Sequence, residues 1–267
     1  MGKRGLGGPR WVEVAPERFV GWVESFAQRH GGTSAEPGPE VVVFRAADGA
    51  VAECHVPFPP LSAGAGVELA VPGATGAGAP QPGGPAPGER AAAPAGHSPA
   101  GDTRAGHAAA RQAQLIAAHC AVDRTVAVLL VRLGGYAAGV FSGRPPRLAA
   151  SKVGSRLVHG RSAAGGQSQQ RFARRREKQA ANALAAAADT AVAVFGPHLR
   201  QIDAVVLGGD RRAVAGLRGD PRLGPYFDRA VERFLTVPDP RLAVLRETPT
   251  MFRSVRIRIT DGEGAGQ

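Results

Sequence analysis

The sequence is poor in aromatic residues and in cysteine. Aromatic side chains make up 5% of its 267 residues, and its two cysteines are Cys54 and Cys120. They form no CxxC pair and have no group of histidines beside them, which argues against a zinc-ligand motif and against a disulfide framework. We therefore predict no metal site and no cofactor.

Long apolar runs are also missing. No stretch reaches the roughly 18 apolar residues of a membrane-spanning helix. The segment from Met1 to Arg10 is basic but lacks the apolar stretch of a secretory signal. The expectation is a cytoplasmic, monomeric protein with no membrane partner.

Positive charge is in excess. Lys and Arg number 33 against 22 Asp and Glu, which gives a formal net charge of +11. Such a balance favours an anionic partner, and nucleic acid is the commonest one. The excess is concentrated in 152–178, where Glu177 is the single acid. The basic residues of this segment are Lys152, Arg156, Arg161, Arg171, Arg174, Arg175, Arg176 and Lys178.

Residues 1–62 are predicted to form a small α+β unit. Pro16 begins a helical pattern, which Gly31 and Gly32 end. Strands at 41–44 and 51–56 flank an Asp-Gly turn sequence, which is typical of a hairpin. The apolar face of the helix consists of Phe19, Trp22, Val23 and Phe26.

Residues 63–108 are dense in Gly, Pro and Ala and contain no aromatic residue. Such a segment cannot bury enough apolar surface to offset its ordering entropy, so we predict a flexible linker. A compact α/β domain is predicted for 109–261, and a loose tail for 262–267.

Within the α/β domain, Val126–Val131 is an apolar run typical of a strand buried on both faces. A long helix is predicted for 168–195. The remaining predicted elements are helices at 107–119, 211–217, 226–234 and 241–247, and strands at 136–141, 147–152, 202–207 and 252–259.

The segment before the long helix carries the chemistry. It reads Arg161-Ser-Ala-Ala-Gly-Gly-Gln-Ser-Gln-Gln170 and has no large apolar side chain. In the helix that follows, Arg171, Arg174, Arg175 and Lys178 have i, i+3, i+4, i+7 spacing. Like charges so close repel one another, and a phosphate-rich partner would relieve that repulsion. The charge pattern therefore predicts RNA or DNA binding, with a solvated turn before an exposed helix as the alternative.

The same residues carry a family resemblance. The runs are Ser151-Lys-Val-Gly-Ser-Arg-Leu-Val-His-Gly-Arg161 and Gly165-Gly-Gln-Ser-Gln-Gln-Arg-Phe-Ala-Arg-Arg-Arg176, with support from 123–136. They resemble the catalytic middle domain of eukaryotic-type class-one release factors, in the actinobacterial group of the Vms-like branch. The resemblance implies an RNase H-like mixed sheet with flanking helices. It also implies release of nascent peptide from tRNA, with large-subunit ribosomal RNA and peptidyl-tRNA as partners.

Two registers compete for the catalytic glutamine. Read as Gly-Gly-Gln, the loop uses Gln167; read as Gly-x-x-Gln, the pattern of the Vms-like branch, it uses Gln169, which we favour. Glutamine has no titratable proton, so its role is to position water and to donate hydrogen bonds to a developing oxyanion. Gly165 and Gly166 permit backbone angles closed to other residues, with no Cβ against a crowded RNA wall.

The cationic residues at 152–178 are assigned to phosphate binding. Asp123 and Asp210 are interpreted as surface or capping acids and not as metal ligands. Two alternatives to peptide release remain. One is a nuclease that trims the tRNA 3′ end, and the other is a non-catalytic protein that binds RNA or the ribosome through the basic helix alone.

Overall fold

The computed structural model describes residues 8–61, 99–132, 134–155 and 168–262. For residues 99–103, 168–173, 175 and 176 this description covers the backbone alone. The described strands form two five-stranded sheets, and helices pack on both sheets.

The first sheet is antiparallel and has the order β1-β10-β4-β3-β2. Its strands are β1 (Arg10–Val14), β2 (Thr33–Glu36), β3 (Val41–Ala46), β4 (Val51–His55) and β10 (Val255–Thr260). Two helices, α1 (Pro16–Arg29) and α2 (Pro99–Cys120), share one buried core with this sheet. That core covers only one face of the sheet, because the side chains of a strand alternate between its faces.

The sequence prediction is confirmed for α1 and for the hairpin that follows. Phe19, Val23 and Phe26 are at most 3% exposed, as expected for one apolar face of a helix. Gly31 and Gly32 end the helix with φ angles of 76° and 102°, which L-residues with a Cβ rarely adopt. Strands β3 and β4 pair across the predicted Asp-Gly turn.

The structure differs from the predicted division of the chain at α2 and at β10. Helix α2 begins at Pro99, inside the predicted linker 63–108, and buries Ala113 and Ile116 in the first core. Strand β10, placed by sequence in the α/β domain 109–261, pairs instead with β1 and β4. Only the first turns of α2 were missed, because the helix predicted at 107–119 already covers most of the part that packs in the core. The predicted linker from 63 to 98 and the tail from 263 to 267 lie outside the described residues.

The second sheet has the strand order β7-β6-β5-β8-β9. Its strands are β5 (Val126–Arg132), β6 (Gly135–Ser142), β7 (Arg147–Ser155), β8 (Ala204–Gly209) and β9 (Ala230–Leu235). Strand β6 is antiparallel to both of its neighbours, whereas β8 runs parallel to β5 and to β9. A mixed sheet of this order, with only its second strand reversed, is RNase H-like, which confirms the predicted fold class.

The central strand β5 explains why its sequence is uniformly apolar. Residues 126–131 are at most 3% exposed. Leu129 packs into a core with α3 (Ser168–Phe195), and Leu130 packs on the opposite face against α6 (Leu242–Arg253). A strand covered by helices on both faces needs apolar side chains at every position.

One predicted helix is wrong. In the segment 226–234 only Tyr226 and Phe227 are helical, as the end of the short helix α5 (Gly224–Phe227), and β9 then pairs with β8. Short segments that mix apolar and charged residues fit a helix and an edge strand equally well. The helix predicted for 241–247 is confirmed as α6 and continues to Arg253.

No helix among the described residues is long and apolar enough to cross a membrane. Cys54 and Cys120 are both buried and unpaired. Burial raises the pKa of the Cys120 thiol to about 12 and that of Cys54 even further. Both side chains therefore stay protonated near neutral pH and behave as small apolar core residues.

Candidate functional site

The loop selected from the sequence joins the end of β7 to the start of α3. Strand β7 ends at Ser155 and α3 begins at Ser168. The loop residues predicted to act are Arg156, Arg161, Gly165, Gly166 and Gln167, and all of them lie outside the described residues. The structure thus defines the two elements that hold the loop.

Strand β7 lies at the edge of the second sheet, and its last residues are exposed. Lys152 and Val153 both face solvent. Gly154 lies directly across from Tyr136, and a Cβ at this position would collide with the tyrosine ring. Glycine therefore allows Tyr136 to pack over the end of the strand, which fixes the point where the loop begins.

Helix α3 is buried near its C-terminus and unburied in the described part of its N-terminal half. Near its C-terminus, Ala187, Ala191 and Phe195 are completely buried in the core. Of the described side chains before Ala183, none is buried. The helix has 28 residues, so it is about 42 Å long and only part of that length contacts the core. The described side chains between Arg174 and Asn182 are therefore available to a partner.

Positive charge lies on this exposed half. Arg174 and Lys178 are exposed and four residues apart, with Glu177 between them. Neither cation forms an ion pair with another described side chain. The backbones of Gln169, Arg171, Arg175 and Arg176 are helical, as predicted. Unpaired like charges at this spacing destabilise a helix, and an anionic partner would offset that cost.

One cation near the loop was not predicted from the sequence. Arg132 ends β5, is 44% exposed and donates a hydrogen bond of 2.8 Å to the Val237 carbonyl. It pairs with Gly135, which pairs with Ser155 on the other side. Two strand spacings, about 10 Å, therefore separate Arg132 from the start of the loop. The only signal in the sequence was an arginine directly after a buried strand.

The two acids weighed as metal ligands are structural, which confirms their interpretation as surface or capping acids. Asp210 caps α4 (Arg211–Leu217) by accepting from the amides of Arg212 at 2.7 Å and Ala213 at 3.2 Å. Asp123 accepts from the Gly143 amide at 3.0 Å. Within the described ranges, no three His, Cys, Asp or Glu residues are grouped as metal ligands would be.

Comparison with known proteins identifies the domain. The sequence profile of the Actinobacteria/chloroflexi VLRF1 release factor matches residues 124–258, just over half of the chain. The matched region includes the whole second sheet, the loop and α3. No curated protein matches the chain significantly.

Two solved structures are similar to the chain. Archaeal translation termination factor aRF1 has 11% identity and a TM-score of 0.37, over 48% of this chain and 36% of that chain. The Vms1 mitochondrial localization core has 11% identity and a TM-score of 0.35, over 88% of this chain and 80% of that chain. This chain therefore spans about a third of aRF1 and most of the Vms1 core.

The profile match assigns the chain to the release factors. Within that class, the chain belongs to the Actinobacteria/chloroflexi VLRF1 release-factor family. The family predicted from the loop and its flanking runs is confirmed.

Proposed function

We propose that the protein hydrolyses the ester of peptidyl-tRNA on the large ribosomal subunit and so releases a stalled nascent chain. The observation that carries this proposal is the position of the glutamine-containing loop. In the chain it follows the exposed end of β7 and precedes the part of α3 that carries the exposed Arg174 and Lys178, within the matched release-factor region.

The exposed half of α3 supports RNA docking. Arg174 and Lys178 reach solvent from a helix that the core holds only by its other half. Exposed guanidinium and ammonium groups bind phosphates, and guanidinium does so through paired hydrogen bonds. A protein held in this way places the preceding loop against the RNA that surrounds the tRNA 3′ end.

Glutamine fits the chemistry of ester hydrolysis in an RNA-built centre. A side-chain amide and backbone N–H groups position water and stabilise the developing oxyanion, and no proton has to leave the protein. In this proposal Gly165 and Gly166 bring the backbone close to the RNA, and Gln169 is the favoured donor, with Gln167 as its rival. Arg156, Arg161 and Lys152 hold phosphates next to the loop.

The decisive experiment uses large subunits that carry peptidyl-tRNA. Incubation with the purified protein should yield free peptide and intact tRNA, separated on one gel. A tRNA shortened at its 3′ end would instead identify a nuclease. Tight binding with neither product would identify a non-catalytic RNA-binding protein, and either result would overturn the proposal.

Replacing Arg174, Arg175 and Arg176 together with Ala should weaken binding to the large subunit. Each lost phosphate contact also removes the release of a counterion, so the slope of log K against log salt should fall by about two to three units. The measurement is ribosome binding at several salt concentrations.

The matched control removes the same charge elsewhere. Arg18 and Arg29 on α1 and Arg111 on α2 are exposed and far from α3 in sequence. Their triple Ala variant should bind with nearly the parental salt slope. Equal losses in both triple variants would mean that overall charge, and not α3, drives docking.

A further inference from the structure

The carboxyl ends of four parallel strands lie together at one end of the second sheet. Strand β7 is antiparallel to β6 and therefore parallel to β5, so Ser155 ends β7 at the same end of the sheet where β5, β8 and β9 end. The glutamine-containing loop and helix α4 both start here. In open α/β sheets, ligands bind outside the carboxyl ends of the strands.

Four exposed arginines lie at this end of the sheet, and we call them the terminal arginines. They are Arg132 at the end of β5, Arg211 and Arg212 at the start of α4, and Arg241 directly before α6. The acids in the same strand ends and connections are Asp210 and Asp239. Four positive charges therefore face two negative ones, and one of these two acids, Asp210, is occupied in capping α4.

A glycine at the end of β8 brings Arg132 next to the start of α4. Gly209 pairs with Val131 and has a φ angle of 101°. A Cβ on Gly209 would lie 2.1 Å from the Val131 carbonyl oxygen and 3.1 Å from Cγ of Arg132. Only glycine fits so close to the neighbouring backbone. The side chain of Arg132 therefore passes beside Gly209, two residues before Arg211.

Two of the terminal arginines are held in place by groups that leave their charge unneutralised. Arg132 donates a hydrogen bond of 2.8 Å to the Val237 carbonyl. The Arg211 guanidinium lies 4.3 Å from the centroid of the Phe234 ring. The Arg132 side chain is also 4.0 Å from Asp239, but that carboxylate is 76% exposed, and such a pair contributes little. Ordered guanidinium groups lose less freedom when they bind phosphate.

The spacing of these two arginines suits a chain of phosphates. Arg132 belongs to β5, and Arg211 lies over Phe234 of β9. Strand β8 lies between β5 and β9, so these strands are two spacings apart, about 10 Å. A nucleic-acid backbone, with one phosphate per nucleotide, matches such a pair better than one small anion does.

We propose that the terminal arginines bind backbone phosphates of the tRNA acceptor end while the loop acts on its ester. This inference rests on the proposed function, because tRNA is the RNA whose 3′ end has to reach the loop. Ser155, where the loop begins, is two strand spacings from Arg132. A tRNA 3′ end at the loop therefore brings the phosphates that precede it towards this end of the sheet, and the cations of α3 remain for ribosomal RNA.

The test uses an isolated acceptor-stem hairpin with a single-stranded 3′ end and no ribosome. The triple variant Arg132→Gln, Arg211→Gln and Arg212→Gln should bind it about ten-fold more weakly at low salt, because each lost phosphate contact also removes the release of a counterion. The slope of log K against log salt should fall by about two to three units. The measurement is the anisotropy of the labelled hairpin at several salt concentrations.

The matched control removes three arginines from the opposite end of the same sheet. Arg144, Arg200 and Arg229 are exposed and lie in connections at that end. Their change to Gln should leave both the affinity and the salt slope close to the parental values. Equal losses in the two triple variants would show that net charge, and not the carboxyl end of the sheet, attracts RNA, and would overturn the proposal.

Thermal melts check that the variants fold. If the first triple variant melts early, the double variant Arg212→Gln and Arg241→Gln replaces it. Neither of these side chains forms an ion pair with another described residue, so their loss should not affect folding. The double variant should still bind the hairpin more weakly than the parent does.

Vacant large subunits, which carry no tRNA, distinguish the two sources of RNA. The first triple variant should bind them with nearly the parental affinity. If it binds the hairpin normally but loses affinity for vacant subunits, the partner is ribosomal RNA and the proposal is wrong. Unchanged binding to both would also contradict it. None of these measurements requires peptide release, so their failure is distinct from a failure of the proposed hydrolysis.

Discussion

Gln169→Ala should slow peptide release at least ten-fold while ribosome binding is preserved. The loss of one donor to a developing oxyanion typically costs about 100- to 1000-fold in rate, and partial compensation by neighbouring groups sets our lower limit. Gln167→Ala should cost less. The measurement is the single-turnover rate of peptide release from large subunits at saturating protein, with binding followed by co-sedimentation.

The start of α3 favours a glutamine within the helix over Gln167, and the Gly-x-x-Gln pattern then selects Gln169 over Gln170. The helix begins at Ser168, so Gln169 is its second residue and Gln167 precedes it. The first four N–H groups of a helix have no partner within it, and the helix dipole makes this end positive. A glutamine in the first turn therefore adds its amide to a backbone environment that already favours developing negative charge.

Gln170→Ala is the matched control, because it makes the same chemical change one residue further along α3. It should release peptide at nearly the parental rate. If the Gln169 variant is as fast as the parent and the Gln167 variant is inert, the Gly-Gly-Gln register is correct and ours is wrong. Loss of ribosome binding in the Gln169 variant would instead show that Gln169 acts in docking and not in catalysis.

The features predicted correctly from the sequence are those that local chemistry determines. The apolar run of β5, the limits of α3 at Ser168 and Phe195, and the cap at Asp210 were all read from neighbouring residues. Each depends on a periodicity or on a single side-chain preference. The cationic stretch of α3 was predictable for the same reason, since charge density along a helix is local.

The features that were not predicted depend on contacts between segments that lie far apart in the chain. Nothing near 255–260 shows that this strand lies between β1 and β4, because strand order is set by packing across the whole chain. The first turns of α2 resembled linker in composition until the place of the helix beside α1 was known. The terminal arginines were not predicted as a group because only the strand order brings the ends of β5, β8 and β9 together. Of the candidate site, sequence therefore predicted the residues, and structure added the elements that anchor the loop and Arg132 near its start.

Phe252 joins the two sheets, and its replacement tests whether they unfold together. The side chain is 2% exposed. It lies edge-on to Phe58, which follows β4, at 5.8 Å and to Phe141 of β6 at 5.9 Å between ring centroids. Beside it, Arg233 of β9 pairs with Glu13 of β1 and hydrogen-bonds to Ser254. These contacts couple the N-terminal sheet to the release-factor sheet.

Phe252→Ala should destabilise the protein by about 3–5 kcal/mol, because it removes a buried ring from between two others. For a protein of this size, that corresponds to a fall in Tm of about 6–20 °C. Phe227→Ala is the control: its ring is partly exposed and lies under the Arg218 guanidinium at 4.8 Å, so its loss should cost less than half as much.

Both tryptophans lie in β1 and α1, so their fluorescence follows the first sheet, whereas circular dichroism follows the whole chain. If the sheets are one cooperative unit, Phe252→Ala lowers both midpoints equally. If the midpoint followed by tryptophan fluorescence stays unchanged while the midpoint followed by circular dichroism falls, the two sheets unfold as independent units.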